Sequence, residues 1–317
     1  MATFKEYTRR ELLTVLPKDG CCVLAFLSAL TKVCGALEGT GRRQVLSLQL
    51  ESAETANSVA GLFKKVYPTE CTVTEQSDEN EKRPYKVTVP HGFAMQALTD
   101  FELIGVNDEG FINFTRGLPQ QLLRKECCMK AYFKGLYLGC GSTYVPTKSE
   151  DEEKKQGYHF ELQLSDEEHA DGVMELLSDL HIRTRMSDRN GGKLIYVKDK
   201  DEILNILCLL GLSDSASELQ SIIAERETAN ELNRAAICEA ANIDKTYAAS
   251  SRLVIAIAKL MSRDSYDKLP LTLRQTAEAR ARYPEASMQE LAETLNITKS
   301  CLHHRLRKLE QLADKEE

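Results

Sequence analysis

Cysteines are the residues most able to do chemistry in this 317-residue sequence, because ten of them are present and six follow a pattern. An adjacent pair at positions 21–22 recurs at 127–128, and a single cysteine follows each pair, at Cys34 and Cys140. Thiolates bind zinc or iron–sulfur clusters, so a pair followed by a third cysteine could hold such a group. The pairs form no CxxC motif, however, and no histidine lies at the spacing of a zinc ligand. Their neighbours are apolar and free cysteine is commonly buried, so we predict core thiols, no metal and no cofactor.

A second candidate site lies near the C-terminus, where residues 287–309 read SMQELAETLNITKSCLHHRLRKL. Ser287 and Glu290 form the capping-box pattern at the start of a helix. Asn296 tolerates the left-handed conformation that the turn between two helices requires, and Thr298 then caps the second helix. This spacing is typical of a helix-turn-helix motif, whose second helix enters the major groove of DNA.

The predicted second helix has one apolar face and one basic face. Its leucines would pack on the first helix, whereas residues 298–308 contain four fixed positive charges and no negative one. We expect Ser300, His303 and His304 to contact base edges. The capping Thr298 completes the DNA-binding set, and the cations of the helix would contact phosphates: Lys299, Arg305, Arg307 and Lys308. The alternative is a plain helical bundle with a solvated charged face.

Composition limits the class of protein. The net charge of −7 argues against nucleic-acid coating over the whole surface, although a local basic patch could still bind DNA. The start of the sequence lacks a signal-peptide pattern. The longest apolar run, residues 23–37, is interrupted by Lys32 and is too short to span a bilayer. We therefore expect a cytoplasmic, nucleoid-associated protein without membrane contact.

The elements that position these residues include a stretch that occurs twice. Residues 21–37 read CCVLAFLSALTKVCGAL, and residues 127–143 read CCMKAYFKGLYLGCGST. Each copy predicts a helix, with Gly35 and Gly141 as left-handed caps. Small residues one turn apart, Ala29 and Gly135 among them, would let the two helices cross closely at a pseudo-two-fold axis.

The repetition extends well beyond these helices. ELIGV at 102–106 is similar to CLLGL at 208–212. The pattern of the whole region predicts two helix-strand-helix-strand-strand-helix units, at about 21–106 and 127–212. Beyond Ser213 only helices are predicted, with a break at Asn242 and Asp244. We therefore predict an N-terminal helix at 1–20, a duplicated α+β domain at 21–213, a helical linker at 214–267 and an all-α helix-turn-helix domain at 268–317.

Nearly the whole sequence resembles the WhiA family of bacterial DNA-binding regulators. The similarity is most specific in LPLTLRQTAEARARYPEASMQELAETLNITKSCLHHRLRKL, residues 269–309. Family members commonly show K-S-G before an H-R-L-R-K run, and here Cys301 replaces the glycine. NRAAICEAANIDKT, residues 233–246, is similar to the segment that links the two domains of the family, with Ala240 where threonine is usual.

The N-terminal domain of that family resembles the LAGLIDADG homing endonucleases, which implies an αββαββα-type duplicated fold. LSALTKVCG at 27–35 and FKGLYLGCG at 133–141 align with the nine-residue signature. In the nucleases an acidic residue precedes the final glycine of each copy, and the two acids bind the catalytic divalent ions. Cys34 and Cys140 stand at those positions, and thiols are poor Mg²⁺ ligands. The resemblance therefore implies a scaffold without catalytic residues, and no enzyme.

The resemblance implies a sequence-specific transcription regulator that acts in cell division, chromosome segregation or sporulation. Its partners would be double-stranded DNA and a regulatory protein. Two alternatives remain open from the residues: a LAGLIDADG-type DNA endonuclease, and a protein- or ligand-sensing adaptor domain fused to a DNA-binding tail. In the sensing alternative, the polar residues of the strands would form the binding surface: Arg43, Gln44, Ser47, Gln49, Lys86, Thr88, His159, Glu161, Gln163, Arg185 and Lys193.

Overall fold

The computed structural model describes residues 3–39, 44–76, 83–106, 112–146 and 157–314. These residues separate into two units, Met1–Ala224 and Glu225–Glu317. The division lies inside the segment 214–267 that the sequence predicts as a linker. No helix in the described part of the chain is long and apolar enough to cross a membrane.

The first half of the N-terminal unit places an antiparallel sheet against helices. The sheet has the strand order β1-β2-β4-β3, and a separate hairpin of β5 and β6 follows it. In chain order the elements are α1 (Phe4–Thr14), α2 (Gly20–Cys34), β1 (Gly35–Glu38), β2 (Val45–Leu50), α3 (Ala53–Val66), β3 (Thr72–Glu75), β4 (Tyr85–Val89), α4 (His91–Asp100), β5 (Ile104–Val106) and β6 (Ile112–Phe114).

The second half repeats this arrangement. Its sheet has the equivalent order β7-β8-β10-β9, which confirms the duplicated α+β fold and its pseudo-two-fold relation. Its elements are α5 (Glu126–Cys140), β7 (Gly141–Tyr144), β8 (His159–Leu164), α6 (Glu167–Asp179), β9 (Arg185–Arg189), β10 (Gly192–Val197) and α7 (Lys200–Leu209).

Each repeat contains a strand that the sequence pattern did not predict. Helices α2 and α5 continue directly into β1 and β7, so the order within a repeat is αββαββα. Gly35 and Gly141 are extended, with φ of −86° and −85°, and the predicted left-handed caps are wrong. Glycine is needed there for space: an added Cβ would lie 2.4 Å from Thr31 O at Gly35 and 2.4 Å from Tyr137 Cδ2 at Gly141.

Two other predicted boundaries differ from the structure. The apolar spacing of residues 93–106 predicts one helix, but α4 ends at Asp100 and is followed by β5, with Glu102 at a φ of 55° in the turn. The sequence pattern also predicts a strand at 182–185, but β9 lies at Arg185–Arg189. The sequence DRNGG at 188–192 predicts a hairpin turn. This turn is confirmed, because Asn190 and Gly191 take φ values of 51° and 75° between paired Arg189 and Gly192.

The core of the N-terminal unit forms where α2 and α5 cross. Phe26, Leu30, Tyr132 and Leu136 are fully buried in it. The two backbones approach so closely that a Cβ on Gly135 would lie 2.3 Å from Phe26 O. Small residues on both helices therefore permit the crossing, as the sequence predicts.

Helix α1 packs onto this core through polar contacts as well as through its buried Leu12. The Thr8 hydroxyl lies 2.8 Å from Tyr137 Oη, which lies 2.9 Å from the Thr143 hydroxyl. The Glu11 carboxylate accepts hydrogen bonds from the amides of Asp214 and Ser215, each at 2.8 Å. These amides open the next helix, so α1 supplies the N-terminal cap of a distant element.

That next helix, α8 (Ser213–Met261), is continuous over 49 residues. The predicted break at Asn242 and Asp244 is therefore wrong. Both residue types cost only about 0.7 kcal/mol relative to alanine in a helix, which is too little to end one without a glycine or proline. The remaining elements of the C-terminal unit are a 3₁₀ turn (Tyr266–Lys268), α9 (Leu271–Arg282), α10 (Met288–Thr294) and α11 (Lys299–Asp314).

Candidate nucleic-acid interface

The turn between α10 and α11 has the local geometry that the sequence predicts. Ser287 Oγ accepts a hydrogen bond from the Glu290 amide, and the Glu290 carboxylate accepts one from the Ser287 amide at 2.7 Å. Asn296 is left-handed, with a φ of 49°. Thr298 Oγ1 accepts from the Cys301 amide at 3.3 Å. The capping box, the turn residue and the second cap are all confirmed.

The apolar face of α11 docks against the other helices of the C-terminal unit. Leu302 and Leu309 have no exposed surface, and Leu306 is nearly as buried. They form one cluster with Leu291 and Ala292 of α10. Since these leucines recur at helical spacing, their burial fixes which face of α11 points outward.

A buried arginine holds the start of α10. Arg280 of α9 is only 3% exposed, and its guanidinium donates to Ala286 O at 2.6 Å and to Pro284 O at 3.4 Å. The sequence reasoning did not identify this residue, although Arg280 lies three positions after the buried Ala277 and therefore on the inward face of α9. It fixes the loop from which the helix-turn-helix begins.

The predicted DNA-contacting residues lie on the outward face of α11. Seven of them are exposed: Thr298, Lys299, Ser300, His303, His304, Arg307 and Lys308. Arg305 is half-buried instead, and its Nη1 approaches Thr272 O of α9 at 3.5 Å. The structure therefore brings most of the predicted set together on one solvent-facing surface and turns Arg305 partly toward a neighbouring helix.

The electrostatics of this face are positive. No acidic residue occurs between Thr298 and Leu309. Within the described residues, no carboxylate forms an ion pair with Lys299, Arg307 or Lys308. The first turn of α11 also carries no acidic side chain, so the positive end of the helix dipole is not compensated there. A basic surface of this kind on a chain of net charge −7 is a local feature.

The positions that correspond to the nuclease acids have different chemistry. Cys34 is buried and accepts a hydrogen bond from Arg83 Nη1 at 3.3 Å, while Arg83 Nη2 donates to Gly139 O at 2.6 Å. Cys140 Sγ donates to Leu136 O at 3.3 Å. Burial raises the pKa of Cys34 to about 11 and that of Cys140 to about 12, against a smaller opposite effect of Arg83.

The resulting site is two neutral thiols beside a guanidinium. Mg²⁺ requires oxygen ligands, usually carboxylates, and Arg83 supplies positive charge where a dication would need negative charge. No motif in the sequence singles out Arg83, because it follows a polar loop and meets Cys34 only through the tertiary fold.

The outer face of the sheets carries charges that neutralise one another. Lys86 Nζ lies 2.6 Å from a Glu38 oxygen, and Arg189 Nη1 lies 2.9 Å from a Glu161 oxygen. Lys193 does not belong to this face, as it lies beside buried Leu164 and pairs with Glu167 and Asp188 at 2.6 and 2.8 Å. Arg43, another residue predicted there, lies outside the described residues.

The cysteine pairs at 21–22 and 127–128 are only partly the core thiols that the sequence predicts. Cys22 and Cys128 are buried, but Cys21 and Cys127 are exposed. The prediction is therefore wrong for one member of each pair, because both pairs lie in the first turn of a helix, at the edge of the core.

Three consecutive segments of the chain match models of one protein family. Residues 20–104 match the WhiA N-terminal LAGLIDADG-like domain, residues 129–229 the WhiA LAGLIDADG-like domain, and residues 232–313 the WhiA C-terminal HTH domain. The order of these matches is the order of the two repeats and the helix-turn-helix along the chain.

Full-length relatives give the same result. The chain is 30% identical over 319 residues to the probable cell division protein WhiA of Alkaliphilus oremlandii, covering 99% of this chain and 97% of that protein. It is 33% identical over 317 residues to the protein of the same name from Bacillus subtilis, covering 98% and 96%. The crystal structure of full-length DUF199/WhiA from Thermatoga maritima shares the fold, with a TM-score of 0.57 at 23% identity over 99% of this chain and 98% of that one.

Proposed function

We propose, because the chain belongs to the WhiA family, that it is a sequence-specific DNA-binding regulator of cell division genes that acts through α11. The observation that carries this proposal is the exposed face of α11 up to Lys308, which is basic, contains no carboxylate and is held outward by three buried leucines. An α-helix with such a face fits the major groove of duplex DNA. A protein bound to the chromosome in this way would lie on the nucleoid, in the cytoplasm.

Within the proposed interface the residues divide by chemistry. Ser300, His303 and His304 have hydrogen-bonding groups suited to base edges, and they carry the sequence preference. Lys299, Arg307 and Lys308 neutralise phosphates, together with Arg305. Arg305 contributes less than the others, since its guanidinium already approaches Thr272 O. Thr298 fixes the start of the helix through its cap.

The N-terminal unit is, on this proposal, a scaffold that does not cleave DNA. Two observations support it. The thiols of Cys34 and Cys140 replace the acids of the nuclease signature, and the guanidinium of Arg83 places a positive charge beside these thiols. The paired charges on the outer sheet face make this unit a weaker candidate for phosphate contact than α11.

The salt dependence of DNA binding by the full-length protein tests the assignment of phosphate contacts. Each neutralised phosphate contributes about −0.9 to the slope of log K against log salt. Three to four cations therefore predict a slope of about −3, which corresponds to roughly 60-fold weaker binding at 200 mM than at 50 mM salt. Lys299→Ala, Arg307→Ala and Lys308→Ala should each reduce the slope by about 1.

The control for these variants is Lys65→Ala, which removes one exposed positive charge from α3 of the other unit. It should leave both affinity and slope unchanged. If the triple variant of Lys299, Arg307 and Lys308 binds duplex DNA with the wild-type slope, α11 is not the interface.

Selection of bound sequences from random duplex DNA tests the base contacts. The wild-type protein should enrich a defined motif, and Ser300→Ala with His303→Ala and His304→Ala should lose that enrichment while retaining salt-sensitive binding. These side chains are exposed, so the helix should stay folded, which circular dichroism checks. Enrichment of the same motif by the variant would contradict the assignment. Pull-down of genomic DNA by the full chain, and by a chain shortened before residue 268, would then identify the regulated genes.

A further inference from the structure

Four cysteine sulfur atoms meet at the ends of the two crossing helices. The Sγ atoms of Cys21, Cys22, Cys127 and Cys128 all lie within 4.8 Å of one another. Each pair occupies the first turn of its helix, α2 or α5, at the same position of the two repeats. Since Cys34 and Cys140 are the last residues of those helices, this cluster lies at the opposite end from the degenerate nuclease site.

The spacing of the four sulfur atoms matches one tetrahedral metal ion. A zinc–thiolate bond is about 2.3 Å long, which puts the sulfur atoms of a tetrahedral site about 3.8 Å apart. The longest separation in the cluster is 4.8 Å at most, so contraction by about 1 Å or less, within reach of side-chain rotation, would complete the site. In a four-iron cluster each thiolate binds a different iron atom, which requires a wider set of sulfur atoms. The geometry therefore favours a single ion over an iron–sulfur cluster.

The surroundings of the cluster stabilise thiolates. Both pairs lie at helix N-termini, where the backbone dipole favours negative charge. Lys125, the N-cap residue of α5, adds a positive charge at this end of the helix. Lys134 carries a second cation close to Cys22 and donates to Val15 O at 3.0 Å. Two lysines therefore offset the negative charge of a metal tetrathiolate.

The inner and outer members of each pair differ in their access to solvent. Cys22 and Cys128 are buried, and a bound metal would deprotonate their thiols outright. Cys21 and Cys127 are exposed, which gives an ion a path from solvent.

We propose that Cys21, Cys22, Cys127 and Cys128 form a structural zinc site that joins the two halves of the duplicated domain. Four protein ligands leave no open position for a substrate, so the site is structural and not catalytic. The ion ties residues 21–22 to residues 127–128 across the crossing of α2 and α5. It secures the N-terminal ends of helices whose middle is already in close contact at Gly135.

Metal analysis of the full-length protein, purified under reducing conditions, tests this proposal. We expect about one zinc per chain by mass spectrometry of the metal, and its release when a mercurial reagent blocks the thiols. Replacement by Co²⁺ should give the intense visible absorption of a tetrahedral cobalt tetrathiolate. The double variant Cys21→Ser with Cys127→Ser should lose the zinc and the cobalt spectrum.

A matched control removes two thiols elsewhere. Cys208 and Cys238 are exposed and lie on α7 and α8, so Cys208→Ser with Cys238→Ser should retain one zinc. A zinc chelator should lower the Tm of the wild-type protein and of this control, but not that of Cys21→Ser with Cys127→Ser. This thermal readout does not depend on DNA binding.

Three results would overturn the proposal. The first is a reduced, folded wild-type protein that stays without metal after incubation with excess Zn²⁺. The second is a zinc content that the Cys21→Ser and Cys127→Ser double variant does not change. The third is stoichiometric iron with acid-labile sulfide, which would assign a cluster in place of zinc. If the Cys21 and Cys127 variant does not fold, Cys21→Ser alone gives the same comparison with three ligands remaining.

Discussion

Adding one methyl group at the centre of the helix crossing should weaken the N-terminal unit by an amount that the structure allows us to work out. The substitution is Gly135→Ala. Its new Cβ would lie 2.3 Å from Phe26 O and 2.9 Å from Ala29 Cβ. The nearer atom belongs to the backbone of α2, so it cannot rotate away, and the two helices would have to separate by about 1 Å to restore ordinary contact.

Two effects of opposite sign determine the net result. Alanine is about 1 kcal/mol more favourable than glycine inside a helix. Overpacking of a filled core costs about 1–3 kcal/mol, and the rigid carbonyl of Phe26 places this case at the upper end. The net loss is therefore about 2 kcal/mol, which in a unit of this size lowers the Tm by about 4–8 °C.

The same substitution at Gly61 is the matched control. Gly61 lies in α3, is exposed, and has no atom within 4 Å of the position of an added Cβ. Gly61→Ala should therefore show only the higher helix propensity of alanine, which raises the Tm by about 2–4 °C. Thermal and urea unfolding of the two variants measures the difference. If both variants shift the Tm in the same direction and by the same amount, α2 and α5 do not cross as closely as described.

Two further predictions concern buried side chains of the N-terminal unit. Burial, with help from Lys32, lowers the pKa of His169 to about 4. Between pH 6.5 and 4 the unfolded chain therefore binds more protons than the folded protein, and the free energy of unfolding decreases as the pH is lowered. The loss is about 2 kcal/mol from pH 7 to pH 5, and His169→Gln should remove it in urea titrations; an equal loss in the variant would refute the assignment. The full-length protein should not nick supercoiled plasmid in Mg²⁺, since Cys34 and Cys140 are neutral thiols. Nicking that Cys34→Ala with Cys140→Ala abolishes would show that the site is active.

Much of the architecture could be predicted because it follows from local periodicity. The apolar spacing of residues 21–37 and 127–143 specifies two helices, and their similarity specifies a duplication. The strands β1 and β7 could not be predicted, because each has four residues and too little alternation to be distinguished from a helix end. The continuity of α8 could not be predicted because Asn242 and Asp244 are of residue types that are common in turns. No neighbouring glycine or proline forces the helix to end there.

The candidate interface was predictable to the extent that it depends on one helix. Burial of the leucines of α11 determines which side chains face solvent, and that burial is readable from spacing alone. Contacts between distant parts of the chain were not readable. Arg305 meets Thr272 at a separation of 33 residues, and Arg83 meets Cys34 at a separation of 49. In the same way, the sequence shows two cysteine pairs but not that the pairs meet.

The cap that Glu11 provides for α8 has a consequence for the order in which the protein is made. Glu11 and the amide of Asp214 are 203 residues apart in the chain. At a synthesis rate of about 5–20 residues per second, α1 waits roughly 10–40 s on the ribosome before its partner emerges. Through that interval Leu12, fully buried in the finished protein, lacks much of its final environment. Helix α1 can therefore complete its native contacts only after the start of α8 has been synthesised.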